Sequence, residues 1–226
     1  MERDDAMEAG AARIFAIGDI HGCHDKLVAL LARLPYEPQR DTLVFLGDYV
    51  NRGPQSRQVV ELVSRLKREQ PRVVTLLGNH ELMLFEYHQR GDRRLLDVMR
   101  RHGVEATMAS YGRSNVADLR DLSFLPGAHR DFLDTLLPIW QTDRYIFVHA
   151  GLLADQPLAQ QDEDTFCWVR DLFLAEEHDF GKRVIFGHTP FELPLITPTR
   201  IGIDTGAVYG NLLTAVELPA LRFYHA

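Results

Sequence analysis

Cysteine is scarce in this chain: its 226 residues include only Cys23 and Cys167. One pair cannot make the disulfide framework of a small secreted scaffold. Both read as reduced thiols of a cytoplasmic protein. Long apolar runs are also missing, and none approaches the roughly 20 residues needed to cross a bilayer. The opening MERDDAMEAGAA is acidic where a secretory signal would be basic and then apolar. Positive charge is in deficit, with 25 Lys and Arg against 32 Asp and Glu, a net charge of -7. That argues against a nucleic-acid or anionic-membrane binder, either of which needs a basic face. It leaves room for a local phosphate site, where a few arginines and metal ions override the average. Internal repeats, low-complexity segments and linker-like shifts in composition are absent.

The rest is an ordinary globular balance, 46% hydrophobic and 25% charged. The length suits one domain with a sizeable core. A flexible tail is expected over residues 1–12 and a single domain over 13–226. One pattern recurs: a short apolar run that stops at glycine and polar residues. RIFAIGD spans 13–19, TLVFLGD 42–48, VVTLLGNH 73–80, YIFVHAG 145–151 and RVIFGHT 183–189. Each reads as a strand buried on both faces. Helical spacing separates the early ones. Leu27, Leu30, Leu31 and Leu34 line one face of Asp25–Leu34. Val59, Val60, Leu62, Val63 and Leu66 do so for Pro54–Glu69, which opens at a proline and stops before Gln70–Pro71. This βαβα order favours an α/β fold. Residues 82–138, rich in Leu, Met and Arg, read as a helical insertion. The C-terminal runs ITPTRIGIDTG and NLLTAVELPALRFYHA read as strands of a second, more antiparallel sheet.

In open α/β sheets, ligands bind beyond the carboxyl ends of the strands. Here those ends carry Asp19, His21, Asp48, Asn79, His80, His149 and His188. Carboxylates, an amide oxygen and imidazoles suit Mn, Fe or Zn better than a soft thiolate metal. They are too many for one closed tetrahedral zinc and enough for two ions sharing a ligand. Taken singly, the aspartates would be turn residues and the histidines satisfied core groups. It is the set that points to a metal pair.

In order, GDIHG (18–22), GDYVNRG (47–53), GNHE (78–81), HAG (149–151) and GHT (187–189) resemble the calcineurin-like metallophosphoesterases. The similarity is strongest to the phosphoprotein phosphatase branch, with its small bacterial and phage Ser/Thr protein phosphatases and diadenosine tetraphosphatase. The resemblance implies an αββα sandwich, two mixed β-sheets flanked by helices. It implies that Asp19 and His21 bind one metal, that Asp48 bridges both, and that Asn79, His149 and His188 complete the second. It implies attack by a metal-bridging hydroxide, with His80 as general acid and Arg52 on the phosphate. Trp168-Val169-Arg170 resembles the family segment that supplies a second clamp, Arg170, and Tyr209 would line the pocket. Mn is the metal expected to support activity in vitro.

One position departs from the family. The second motif usually reads GDYVDRG, and here Asn51 stands in place of the aspartate that orients the acid histidine. Asn51 can accept a ring N–H but brings no charge, so His80 is expected to be a weaker proton donor. Three functions compete. The resemblance favours a Ser/Thr protein phosphatase acting on phosphomonoesters. The alternative is bis(5'-nucleosyl)-tetraphosphatase-like hydrolysis of a phosphoanhydride. The third is a non-catalytic metal-dependent binding module, against which the intact His80 and Arg52 speak. The remaining histidines, His102 among them, fall outside the motifs and read as surface or structural.

Overall fold

The computed structural model of the protein describes residues 12–226. All but the last residue of the expected tail therefore lies outside the described residues. The first half of the chain folds as β1 (Ile14–Ile17), α1 (His24–Arg33), β2 (Thr42–Phe45), α2 (Ser56–Glu69) and β3 (Val73–Thr75). Four helices follow: α3 (Asn79–Arg90), α4 (Arg93–Arg101), α5 (Val104–Ser110) and α6 (Gly127–Leu133). Next come β4 (Ile139–Gln141), β5 (Tyr145–Val148), α7 (Glu163–Trp168) and α8 (Asp171–Ala175). The chain ends in β6 (Arg183–Phe186), β7 (Leu195–Ile196), β8 (Arg200–Gly202), β9 (Thr214–Leu218) and β10 (Arg222–His225). No helix among the described residues is long and apolar enough to cross a membrane.

The strands form two five-stranded sheets, ordered β10-β9-β1-β2-β3 and β4-β5-β6-β8-β7. Strands β1, β2 and β3 run parallel, as do β5, β6 and β8, while β4, β7, β9 and β10 pair antiparallel. The period-two alternation of a strand explains how one run serves two cores. In β1, Phe15 and Ile17 pack toward the α1–α2 side, whereas Ala16 faces the second sheet. In β5, Tyr145 and Phe147 meet that inner layer, whereas Ile146 and Val148 turn to Phe166 and Phe173 outside. The result is three apolar layers in an αββα sandwich. Helices α1 and α2 close the first sheet with Leu27, Leu30, Val59, Val60 and Val63. Gln70 is extended, as a residue before proline must be, and α2 stops there.

The C-terminal strands correct the sequence reading. They do not make a sheet of their own: β8 joins the second sheet parallel to β6, and β9 and β10 extend the first beside β1. Apolar alternation specifies a strand but not its neighbour, because pairing is decided by which edge is free. Strands β4 and β7, of three and two residues, are too short for periodicity to find.

A buried ion pair joins the entry of β1 to the loop before β2. Asp41 is fully buried. It accepts from Arg13 Nη2 at 2.6 Å and from the Glu37 amide at 2.9 Å. Burial alone would raise its pKa, but Arg13 and the two backbone amides outweigh burial and hold the carboxyl at about 2. A lowered acid pKa stabilises the fold above the unfolded value, about 4, and the gain is lost as pH falls toward the folded one. Asp41→Asn is therefore expected to cost on the order of 2 kcal/mol at neutral pH. It should also flatten the fall in urea midpoint between about pH 4 and pH 2. Equal acid sensitivity in both proteins would contradict the assignment.

Candidate functional site

The ends of β1, β2, β3, β5 and β6 lead into loops that meet at one place. Several of these residues hold backbone conformations that L-residues seldom adopt. His21, Asp48, Asn51, Arg52 and His188 have φ of +44, +53, +69, +66 and +61°. Such strain clusters where a site dictates the direction of a side chain. Two glycines allow the loops to close. A Cβ on Gly78 would lie 2.3 Å from Asp48 Oδ1, and one on Gly187 would lie 2.2 Å from Asp19 Oδ1. A side chain at either position would push a carboxylate out of place.

Two groups of potential ligand atoms result, His21–Asp48–His80 and Asp48–His149–His188, each within 4.8 Å. Asp48 is the residue common to both. Its Oδ2 lies 3.2 Å from His21 Nε2 and its Oδ1 3.5 Å from His149 Nε2. Asn79 Oδ1 lies 3.0 Å from His149 Nε2 and 3.1 Å from His188 Nδ1. Asp19 is buried beside them, with both carboxylate oxygens 3.1 Å from the His188 amide. In the first group His80 takes the place expected for Asp19. The six residues expected from the sequence thus converge.

The hydrogen bonds around these rings fix which nitrogens carry protons. His21 Nδ1 faces the Val50 carbonyl at 2.9 Å and His149 Nδ1 the Leu46 carbonyl at 2.8 Å. Each Nδ1 must therefore donate, which leaves Nε2 as a lone pair. Burial keeps the His149 ring below its ordinary pKa and takes His188 down to about 3. Lone pairs of His149, Asn79 and Asp48 then point at one another with no proton between them. Carboxyl groups crowd alongside: burial, then Asp204 and Asp48, push the Asp19 carboxyl well up, and burial raises that of Asp204. Such a buried arrangement is costly unless cations fill it. The residues therefore fit a pair of divalent ions. Two guanidiniums already lean on the rim. Arg52 Nη1 is in contact with His21 Nε2, and Arg170 Nη2 lies 3.3 Å from His188 Nε2. Tyr209, 63% exposed, has its ring centroid 5.4 Å from the Arg52 guanidinium carbon.

His80 is fully buried, and its Nε2 has no hydrogen-bond partner, with Asp48 Oδ2 4.0 Å away. Its Nδ1 lies 2.8 Å from the Asn51 side-chain nitrogen, while Asn51 Oδ1 accepts the Thr107 hydroxyl at 2.8 Å. Asn51 thus donates to the ring, where the sequence suggested that it accepts. The competing Thr107 hydroxyl lies 56 residues away, so no local pattern could reveal it.

Three residues at the site were missed. Asp204 ends the apolar run of β8 just as the named ligands end theirs, a signal that was available. Glu81 belongs to a quoted motif and serves as an anchor. Its carboxylate accepts the amides of Asp48, Tyr49 and Val50 at 3.0, 2.9 and 3.1 Å. His102, in the helical insertion, brings its ring to 5.4 Å from that of His80.

Comparison with known proteins identifies the family. The calcineurin-like phosphoesterase family profile matches residues 12–211. Two similar relatives are bis(5'-nucleosyl)-tetraphosphatases PrpE [asymmetrical]. That of Geobacillus sp. is 34% identical over 93% of this chain and 92% of its own length. That of Bacillus velezensis is 31% identical over 90% and 88%. A crystal structure of a candidate diadenosine tetraphosphatase superposes with a TM-score of 0.71 at 23% identity, covering 96% of this chain and 94% of the other. A Saccharomyces cerevisiae serine/threonine phosphatase gives 0.65 at 18%, covering 97% and 81%.

The Glu81 anchor can be tested. Glu81→Gln sets an amide N–H against one of three backbone N–H groups. It should weaken Mn²⁺ binding about 10–100-fold by titration calorimetry, the usual effect of losing a group that orients a metal ligand. Unchanged Mn²⁺ affinity would show that Glu81 does not hold the Asp48 loop.

Proposed function

Since this chain belongs to the calcineurin-like phosphoesterases and is a metal-dependent phosphoesterase, we propose that it hydrolyses a phosphoanhydride bond of a dinucleoside polyphosphate. The observation that carries this reading is the Asn51 nitrogen, 2.8 Å from His80 Nδ1. A donor at that atom makes Nδ1 an acceptor and places the ring's proton on Nε2. It also opposes a second proton, as does burial, which pulls the His80 pKa well below its ordinary value. A neutral imidazole can donate a hydrogen bond from Nε2, but giving that proton up entirely would leave it anionic. A serine or threonine alkoxide needs a full proton to depart. A nucleotide phosphate, with a second pKa of about 6, does not. The relatives named as tetraphosphatases support the same choice, so the protein-phosphatase reading gives way to the alternative.

In this reading Asp19, His21, Asp48, Asn79, His149 and His188 hold the metal ions. The ions supply positive charge and acidify water at the site. Arg52 and Arg170, on the His21 and His188 sides, grip phosphate oxygens and strengthen their hold as charge shifts in the transition state. Water gives up one proton to solvent as its oxygen bonds to phosphorus, the anhydride P–O bond breaks with its electron pair going to the leaving oxygen, and the nucleotide leaves as an ionised phosphate, steadied by His80 Nε2–H. The exposed face of Tyr209 offers a stacking surface for a base next to Arg52.

With Mn²⁺, kcat/KM for diadenosine tetraphosphate should exceed that for phosphoserine, phosphothreonine and phosphotyrosine peptides by about a hundredfold. A peptide substrate that matches the tetraphosphate would overturn the proposal. Asn51→Asp restores a charged acceptor at Nδ1. It should raise turnover of a phosphoserine peptide about tenfold or more relative to p-nitrophenyl phosphate. An unchanged ratio would break the link between Asn51 and leaving group.

A further inference from the structure

Besides the Thr107 contact of α5 with Asn51, helices α4 and α5 meet the site at the turn between them, His102 and Gly103. Gly103 has φ +79°, and its carbonyl accepts the Arg52 amide at 3.2 Å. A Cβ there would lie 2.9 Å from the Arg52 nitrogen, so the turn is fitted to the backbone of the phosphate clamp. His102 is held from behind, its amide bonded to the carbonyls of Val98 and Met99. Its ring is one of two imidazoles packed edge to face on His80: His21 at 4.6 Å and His102 at 5.4 Å. His21 and His80 are buried, whereas His102 is only partly buried. His102 is therefore the member of the three that is open to solvent, next to both His80 and the backbone of Arg52.

We propose that His102 is a substrate-contacting residue on the leaving-group side, its imidazole donating a hydrogen bond to the departing phosphate chain. The inference rests on the dinucleoside polyphosphate reading. The chemistry distinguishes the two substrate classes. An alcohol leaving from a monoester carries one oxygen and no charge, and has nothing for a donor beyond His80 to hold. A departing nucleotide phosphate carries several charged oxygens extending away from the scissile bond. A donor packed on His80, beside Arg52, meets the latter alone.

The test uses the full chain with Mn²⁺ and two substrates, diadenosine tetraphosphate and p-nitrophenyl phosphate. His102→Ala should lower kcat/KM for the tetraphosphate about tenfold or more, the size of a lost hydrogen bond to a charged group. The loss on p-nitrophenyl phosphate should be at least about fivefold smaller. His102→Phe keeps a ring without donors and should lose as much, whereas His102→Gln should recover part of the rate. These two variants decide the matter should the alanine protein fail to fold. Equal losses on both substrates would reduce His102 to a support for Arg52, and no loss on either would remove it from the site. Should the wild-type protein itself prefer phosphopeptides, the polyphosphate reading falls and this inference with it. That failure shows in the wild-type rates alone, apart from any His102 variant.

Discussion

The whole site depends on where one carboxylate points. Asp48 belongs to both groups of candidate ligands. A single oxygen displaced by an ångström would separate them. The surrounding structure over-determines its position. The Asp48 backbone is left-handed at φ +53°, and its amide is fixed by Glu81. The missing side chain of Gly78 makes room, and the His80 amide donates back to Oδ1 at 3.1 Å. Folding free energy from the three apolar layers is spent holding this strained loop, the usual relation between scaffold and site. Imidazoles with fixed tautomers and buried like charges would be a liability in a protein with no cation to bind. Here they are a preorganised cradle.

Much of this was legible in the sequence, because its causes are local. Apolar runs that end in Gly plus a polar residue mark strand ends, and all five marked strands are present. The convergence of the candidate ligands follows from them, since strands of an α/β sheet deliver their ends to one edge. What was illegible depends on partners far along the chain. The direction of the Asn51 amide is set by Thr107, and the approach of His102 by the path of an insertion whose helices carry no motif. The destination of β9 depends on the free edge beside β1, which no pattern within residues 214–218 encodes. Asp204 is a different case, since it closes an apolar run in the same manner as Asp19 and Asp48 and was readable on the same grounds.

The second motif's departure from the usual pattern ties geometry to substrate. An aspartate at position 51 would hold an imidazolium, which can release a proton to a poor leaving group. Asn51, turned by Thr107, instead holds a neutral ring with its hydrogen toward the reaction. That loss matters little when the leaving group is itself an acid. In the proposed function, substrate class is written in a second contact, one residue removed from the candidate ligands, while those ligands suit either class. The same logic places His102: a site that gives up proton donation has use for a further hydrogen bond to the charge that departs.

The central claim is that Asp48 stands between two cations. Anomalous X-ray diffraction from crystals equilibrated with Mn²⁺ measures this directly. The account expects two anomalous peaks per chain flanking the Asp48 carboxylate, one on the His21 side and one on the side of Asn79, His149 and His188. A single peak, or a pair that does not share Asp48, would contradict it.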